Sequence, residues 1–465
     1  MRTRNNFRSV EKKSGLDMTK GEPFKLLIVY SFPILLGSLF QQLYNLFDTV
    51  IVGRLLGPDA LAAVGNTGPM NFLVLGFLYG MTSGFAVITA QKFGAHDEDG
   101  VKKSVAMNIV LNLASGLAIT ILACAFTMPL LRAIHTPDTI IGDSFRYIIV
   151  IFSGILVTVL YNGCTCVLRA VGDSKTPLYF LIVSSLLNIV LDIVFISKFK
   201  WGVAGAAWAT VISQAVSGVA SLVWCIVRYP ILRVKREHYK AGWNFASRHL
   251  KIGMNMGFQF SITAIGTIVL EGALNKFGAT KIAAFTAAQK VEQLVTVAAG
   301  VMGVTIANYG GQNLGAGRID RIKEGVTKSV IISVGFAIFS ALLAWIFNDQ
   351  LVGFFLDKSS MTPERWTEIL DAARVYLRIC SVFFPVLFVI FVYRNILQSI
   401  GKGFWPLMGG VFELFARSIA AYTLPALMGF AGICAAEPLA WAAAAIPLAI
   451  AYYITISRFI LKAPA

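Results

Sequence analysis

The sequence predicts an all-α integral membrane protein, with twelve transmembrane helices in two pseudo-symmetric six-helix bundles around a central cavity. Three observations carry that expectation. Hydrophobic residues make up 57% of the 465 and charged residues only 14%, where a soluble domain has about 25% charged. The chain breaks into twelve apolar runs, each near the length of about 20 residues that a helix needs to cross a bilayer. The two halves of the chain also repeat one another. A mean hydropathy of +0.72 excludes a soluble fold, because even a large domain leaves much of its surface wet.

The runs are 24–52, 66–91, 105–131, 144–168, 178–197, 204–227, 252–275, 282–309, 326–347, 372–398, 405–428 and 439–460. Residues 1–23 are polar and basic and lack a short apolar core with a cleavage site. The first run is therefore read as a retained helix, not a signal peptide. Counting residues at span ends with the adjoining loops, 26 of the 40 Lys and Arg fall on the N-terminal side and 10 on the other. The positive-inside rule then puts both termini in the cytoplasm of a multi-pass protein of the cell inner (plasma) membrane. The organisation is a cytoplasmic segment 1–23, an N-lobe 24–227, a basic linker 228–251, a C-lobe 252–460 and a tail 461–465. The linker holds Arg233, Lys235 and Arg236. The net charge of +16 is carried between apolar runs, where it marks topology and contact with anionic lipid, not nucleic acid. Five of the six cysteines lie within apolar stretches and Cys434 near a short loop, all as packing residues.

Leu56-Gly57-Pro58-Asp59-Ala60-Leu61-Ala62-Ala63 reads like Phe277-Gly278-Ala279-Thr280-Lys281-Ile282-Ala283-Ala284, an offset of 221. Gln91-Lys92-Phe93-Gly94-Ala95 answers Gln312-Asn313-Leu314-Gly315-Ala316 at the same offset, and Gly172 and Pro177 answer Gly401 and Pro406 at 229. Six spans per repeat is an even number, so both repeats enter the membrane in the same sense, related by an axis along its normal. A duplicated many-helix architecture of this kind favours a transporter over an enzyme or receptor.

A carboxylate at the centre of a span costs about 2.5–3.5 kcal/mol on insertion scales, so each one asks for a reason. Asp48 lies near the end of span 1, either as an interfacial acid beside Arg54 or as part of a site. Asn188 and Asp192 are four apart on span 5 and share a face, and Thr210 interrupts a small apolar run on span 6. Asp48, Asn188, Asp192 and Thr210 together form a hard-oxygen set suited to Na⁺. Equally, the two carboxylates could share a proton, or Asn188 and Thr210 could simply tie neighbouring helices together.

The second half carries different acids. Glu271 on span 7 has no basic neighbour and is a secondary candidate for a proton or a cationic substrate. Glu292 lies near Lys290, although residues two apart do not face each other on a helix, so an internal ion-pair network is expected. Glu413 and Arg417, spaced i,i+4 on span 11, are expected to form a structural salt bridge. At offset 229 the counterparts of Asn188 and Asp192 are Arg417 and Ala421, so the halves differ chemically. Gly76, Gly80 and Gly84 form a double GxxxG packing stripe, and Pro33 is placed to bend span 1. No GxxxxGK[ST] segment is present to hold nucleotide phosphates, which points to an ion gradient as energy source.

Gln42-Leu43-Tyr44-Asn45-Leu46-Phe47-Asp48-Thr49-Val50-Ile51-Val52-Gly53, with Ala60-Leu61-Ala62-Ala63-Val64-Gly65, resembles the multidrug and toxic compound extrusion (MATE) family. So do Leu168-Arg169-Ala170-Val171-Gly172-Asp173 with Thr176-Pro177, Asn188-Ile189-Val190-Leu191-Asp192, and Gly311-Gln312-Asn313-Leu314-Gly315-Ala316-Gly317. The resemblance implies two six-helix lobes with a V-shaped cavity, exporting amphipathic organic cations in exchange for Na⁺ or H⁺, with no cofactor. It implies an N-lobe cation site at Asp48, Asn188, Asp192 and Thr210. Glu271 matches an acid of a C-lobe site whose second acid, expected on span 10, is missing here. The expected partners are small amphipathic cations and membrane lipid, with the monomer as the functional unit. A flippase of lipid-linked saccharides, a cation channel or receptor, and a membrane enzyme are the alternatives. Such flippases commonly carry additional helices, and a channel conducts without exchanging substrate. The enzyme reading lacks a metal-spaced cluster, and His96, His135, His238 and His249 are assigned to loops.

Overall fold

A computed structural model describes residues 15–356, 358 and 361–462, so the start of the N-terminal segment and the last residues of the tail lie outside the described residues. Among them the chain is helical, without strands. The first repeat contains α1 (Pro23–Leu56), α2 (Pro58–Asn66), α3 (Gly68–Gly94), α4 (Glu98–Ala133), α5 (Asp138–Ser153), α6 (Ile155–Ala170), α7 (Lys175–Ile193) and α8 (Val203–Arg228). The second contains α9 (Trp243–Leu274), α10 (Gly278–Gly315), α11 (Ile319–Ile346), α12 (Asn348–Gly353), α13 (Pro363–Val382), α14 (Phe384–Ser399), α15 (Phe404–Thr423), α16 (Pro425–Met428) and α17 (Phe430–Lys462).

Among the described residues, nine helical stretches are long and apolar enough to cross a membrane, and one of them, Trp243–Gly315, is α9 and α10 joined by a 3₁₀ turn. Two further spans are bent pairs, α5 with α6 at 49° and α13 with α14 at 48°. Together they make the twelve expected spans. α1 runs through Pro33 as one helix, so the proline does not interrupt it.

The breaks themselves repeat. The bends fall at Gly154 and Phe383, 229 residues apart. Gly57 (φ 92°) and Gly278 (φ 80°) open α2 and α10, and Gly172 (φ 89°) and Gly401 (φ 79°) close the hairpins before α7 and α15. These left-handed φ values suit glycine, which lacks the Cβ that would clash there. The glycines shared by the two halves are therefore the positions where the backbone must turn.

Cα packing divides the chain into two compact units, but not at the 228–251 linker. The first unit comprises the described residues up to Gly21, with Ile28–Ser261 and Gly311–Arg318. The second comprises Glu22–Leu27, Ile262–Gly310 and the described residues from Ile319. The border lies inside α9 because the double GxxxG stripe of α3 packs on glycines of α9's first half. A Cβ added at Gly80 would stand 2.8 Å from the Met256 carbonyl carbon, and one at Gly84 2.8 Å from Gly253 N. The stripe thus serves helix packing, as small residues in membranes usually do. α9 also begins earlier than the sequence suggests, which places His249 on a helix. There it is fully buried, with Nε2 2.9 Å from Ser104 Oγ. Cys434 lies in the first turns of α17, close to the Gly429 turn as expected, and is buried.

The first unit holds the N-terminal segment against two loops. Leu16 N–H donates to Gly172 O (2.9 Å) and Met18 N–H to Gln312 Oε1 (2.9 Å). Asn313 Nδ2 donates to Met18 O (3.1 Å), and Gln312 Nε2 to Ala170 O (3.0 Å). Met18 is fully buried, so this strap is packed as well as hydrogen-bonded.

Candidate functional site

In the first unit, helix periodicity sets the donors. Tyr44 and Asp48 are one turn apart on α1, Asn188 and Asp192 one turn apart on α7, and Thr210 sits in the second turn of α8. The structure brings all four expected residues together. Asn188 Nδ2 donates to Thr210 Oγ1 at 3.3 Å, and the Tyr44 hydroxyl lies 3.4 Å from the same oxygen. The Asp48 and Asp192 carboxylates lie near each other. Asn188 and Asp192 are 1% and 0% exposed. Arg54 is exposed and makes no ion pair with Asp48 among the described residues.

Four oxygens of this set are enclosed and accept no hydrogen bond: Asp48 Oδ1, Asn188 Oδ1 and both oxygens of Asp192. Two facing carboxylates without a basic partner cannot both stay ionised and dry at low cost. A proton held between them, or a cation among the four oxygens, supplies the missing compensation. Chemically, this arrangement can hold one proton or one small monovalent cation. Tyr44 stands beside Thr210 in it although sequence reasoning passed over that tyrosine. The i,i+4 spacing of Tyr44 from Asp48 was the available signal.

The second unit differs. Glu271 on α9 is exposed and takes no hydrogen bond or ion pair among the described residues. Glu292 is 9% exposed and accepts a hydrogen bond from the Tyr376 hydroxyl. Lys290 is exposed and joins no ion pair among the described residues, so the Lys290–Glu292 network is not formed; the two side chains leave α10 in different directions. Glu413 and Arg417 are both buried on α15, yet they do not pair with each other. Arg394 Nη2 of α14 donates to Glu413 Oε1 at 2.6 Å, and Arg417 Nη2 donates to Glu437 Oε2 of α17 at 2.9 Å. Pairing between helices replaces pairing along one helix because the neighbouring helices bring in charges of their own. Sequence reasoning missed Arg394 and Glu437. Arg394 stood alone in an apolar run, which was itself a signal that it needs an acid.

The two units correspond at this level. Asn188 and Thr210 join α7 to α8, while Arg417, 229 residues beyond Asn188, and Glu437 join α15 to α17.

Twelve spans in two repeated halves are the architecture of a membrane transporter. The family model MatE matches residues 33–194 and 252–423. The chain is 30% identical to the probable multidrug resistance protein YpnP of Bacillus subtilis strain 168, over 83% of this chain and 84% of that protein. It is 22% identical to the multidrug export protein MepA of Staphylococcus aureus strain MRSA252, over 89% and 90%. Among solved structures, the outward-facing conformation of a multidrug resistance MATE family transporter of the MOP superfamily shares the fold. Its TM-score is 0.89 and its identity 24%, over 97% of this chain and 99% of that one. The chain belongs to the MatE family.

Proposed function

We propose that this MATE transporter is a secondary-active multidrug exporter, expelling amphipathic organic cations in exchange for inward Na⁺ or H⁺ by alternating access. The observation that carries the reading is the set of four enclosed, unpartnered oxygens on Asp48, Asn188 and Asp192, completed by Thr210. The descriptions of YpnP and MepA as multidrug proteins support the cargo class. The ion is the only energy source required. Exporting one positive charge against 100 mV costs about 2.3 kcal/mol, plus about 1.4 kcal/mol per tenfold gradient, and one or two inward cations supply that. Ion binding at Asp48 and Asp192 favours one conformation and cargo the other, which is what couples the two fluxes. Glu271, exposed and free of basic neighbours, is a secondary contact for a proton or a cationic cargo. The protein works as a monomer in the plasma membrane with both termini cytoplasmic, touches lipid and no nucleic acid, and uses no cofactor.

Efflux of a fluorescent organic cation from proteoliposomes tests this, with inward Na⁺ and H⁺ gradients imposed separately. One gradient should drive efflux, and Asp48→Asn and Asp192→Asn should each abolish it. Full coupled efflux in Asp192→Asn would overturn the assignment. Movement of a lipid-linked saccharide without dye efflux would favour a flippase instead.

A further inference from the structure

We infer that Arg169 marks a second binding site in the first unit, for an oxyanion: the carboxylate or phosphate of an amphipathic molecule. Arg169 stands in the last turn of α6, and its guanidinium lies among Tyr30, Tyr79, Tyr161 and Cys166. No carboxylate is within ion-pair distance of it among the described residues. The nearby acid Asp173 is fully engaged: its Oδ1 accepts from the N–H groups of Lys175 (3.1 Å) and Thr176 (3.0 Å), and its Oδ2 from the Tyr229 hydroxyl (2.6 Å). Arg169 Nε is enclosed and bonds to nothing among the described residues, while the residue as a whole is half-buried.

A cation in the last turn of a helix gains from the helix dipole, which is the simplest account of such a residue. Two observations go beyond it. The carbonyls at this helix end are taken by other donors, Arg169 O by the Tyr30 hydroxyl (2.7 Å) and Ala170 O by Gln312 Nε2 (3.0 Å), and the guanidinium bonds to neither. In the second repeat the same hairpin, closed by Gly401, carries the neutral Gln398 at this position, 229 residues on. The turn is therefore built without a charge, and the charge at Arg169 is not required by the fold.

A guanidinium offers parallel N–H donors that match the two oxygens of a carboxylate or phosphate, and the Tyr79 and Tyr161 hydroxyls add donors beside it. An arriving oxyanion would supply the counter-charge that the protein withholds. The inference rests on the export of amphipathic organic molecules proposed above and widens the cargo from cations to zwitterions, with a phospholipid phosphate as the other source of the same chemistry.

The test compares rhodamine 19, a zwitterion with a free carboxylate, with its cationic ethyl ester rhodamine 6G. Both are titrated onto the purified full-length protein in dodecyl maltoside and followed by fluorescence polarisation. Arg169→Gln should weaken rhodamine 19 by about tenfold and leave rhodamine 6G unchanged, as expected for loss of a charged hydrogen bond, and Arg169→Lys should recover most of the difference. If Arg169→Gln does not fold, the Tyr79→Phe and Tyr161→Phe variants must weaken rhodamine 19 selectively. Dihexanoylphosphatidylglycerol is titrated in parallel. Arg169-dependent binding of that lipid, without any effect on rhodamine 19, assigns the oxyanion to a lipid. Equal weakening of both dyes, or no Arg169 dependence for either dye or the lipid, overturns the site. Failure of wild-type protein to bind rhodamine 6G counts instead against export of organic cations, because the Arg169 dependence of rhodamine 19 and lipid is read separately.

Discussion

Gly94 lies so close to Gln312 that a Cβ added to the glycine would overlap the Gln312 carbonyl oxygen, and Gly315 stands in the same relation to Gln91. The two contacts are reciprocal across the 221-residue offset, as two copies of one surface meeting about a two-fold axis must be. Backbone, not a flexible side chain, blocks the added atom on both sides.

Gly94→Ala should therefore destabilise the protein by about 1–3 kcal/mol, the usual cost of overpacking, and Gly315→Ala by a similar amount. Gly142, inside α5 with no atom within 4 Å of an added Cβ, is the control. Its replacement by Ala should be neutral or stabilising, by about 0.4–1 kcal/mol at most. Thermal unfolding in detergent measures all three, and equal behaviour of Gly94 and Gly142 would refute the packing argument.

Gln312→Ala removes both the acceptor for Met18 N–H and the donor to Ala170 O. The strap at residues 16–18 should then loosen, and trypsin should cut after Lys20 several-fold faster than in the wild type. Mass spectrometry of the timed digest reads the cut directly. An unchanged rate would mean that burial of Met18 holds the strap without these bonds.

The buried Arg394–Glu413 pair should show strong coupling. Removing one partner strands a charge and costs about 3–5 kcal/mol, whereas replacing both with apolar residues of similar volume costs far less. Arg394→Met, Glu413→Leu and the double variant form the cycle. Additive losses would show that the pair, 2.6 Å apart, contributes no mutual stabilisation.

Local spacing explains what could be read in advance. Asn188 and Asp192 share a helix face through i,i+4 periodicity alone, and Asp48 stood out as an intramembrane acid, so the residues of this polar cluster were legible apart from Tyr44. The span count and the repeat were legible because apolar length and glycine-bearing turns are local properties. The partners of Glu413 and Arg417 were not, because they arrive from α14 and α17, and only tertiary packing decides which of several charges meet. The unit border inside α9 was hidden for the same reason: Gly253 and Gly257 show their role only when α3 lies against them.

Outside the spans, Asp97 caps α4. Its Oδ1 accepts from Gly100 N–H at 2.9 Å and its Oδ2 from Lys92 Nζ at 2.8 Å. Partial burial pushes the carboxyl up, but the bonds from Lys92 and Gly100 together outweigh it and hold the group below its ordinary value of 3.8. A depressed carboxylate stabilises the folded state above the unfolded value, and that contribution fades as pH falls through the folded one. Asp97→Ala should cost about 0.5–2 kcal/mol at neutral pH, as loss of an N-cap does. The gap to wild type should narrow below a pH of about 4. A gap that holds constant from neutral to acid pH would contradict the charge-dependent part.

Where the first unit holds Asn188 joined to Thr210, the second holds Arg417 joined to Glu437. A guanidinium stays protonated at every pH a cell meets. Arg417 is thus a cation tethered to its own chain, and it can be neither unloaded nor exchanged. The counterpart of Asp192 is Ala421, so at these two positions the second half holds a fixed charge and no carboxylate. In the exchange proposed above, these positions of the second half would contribute no movable ion.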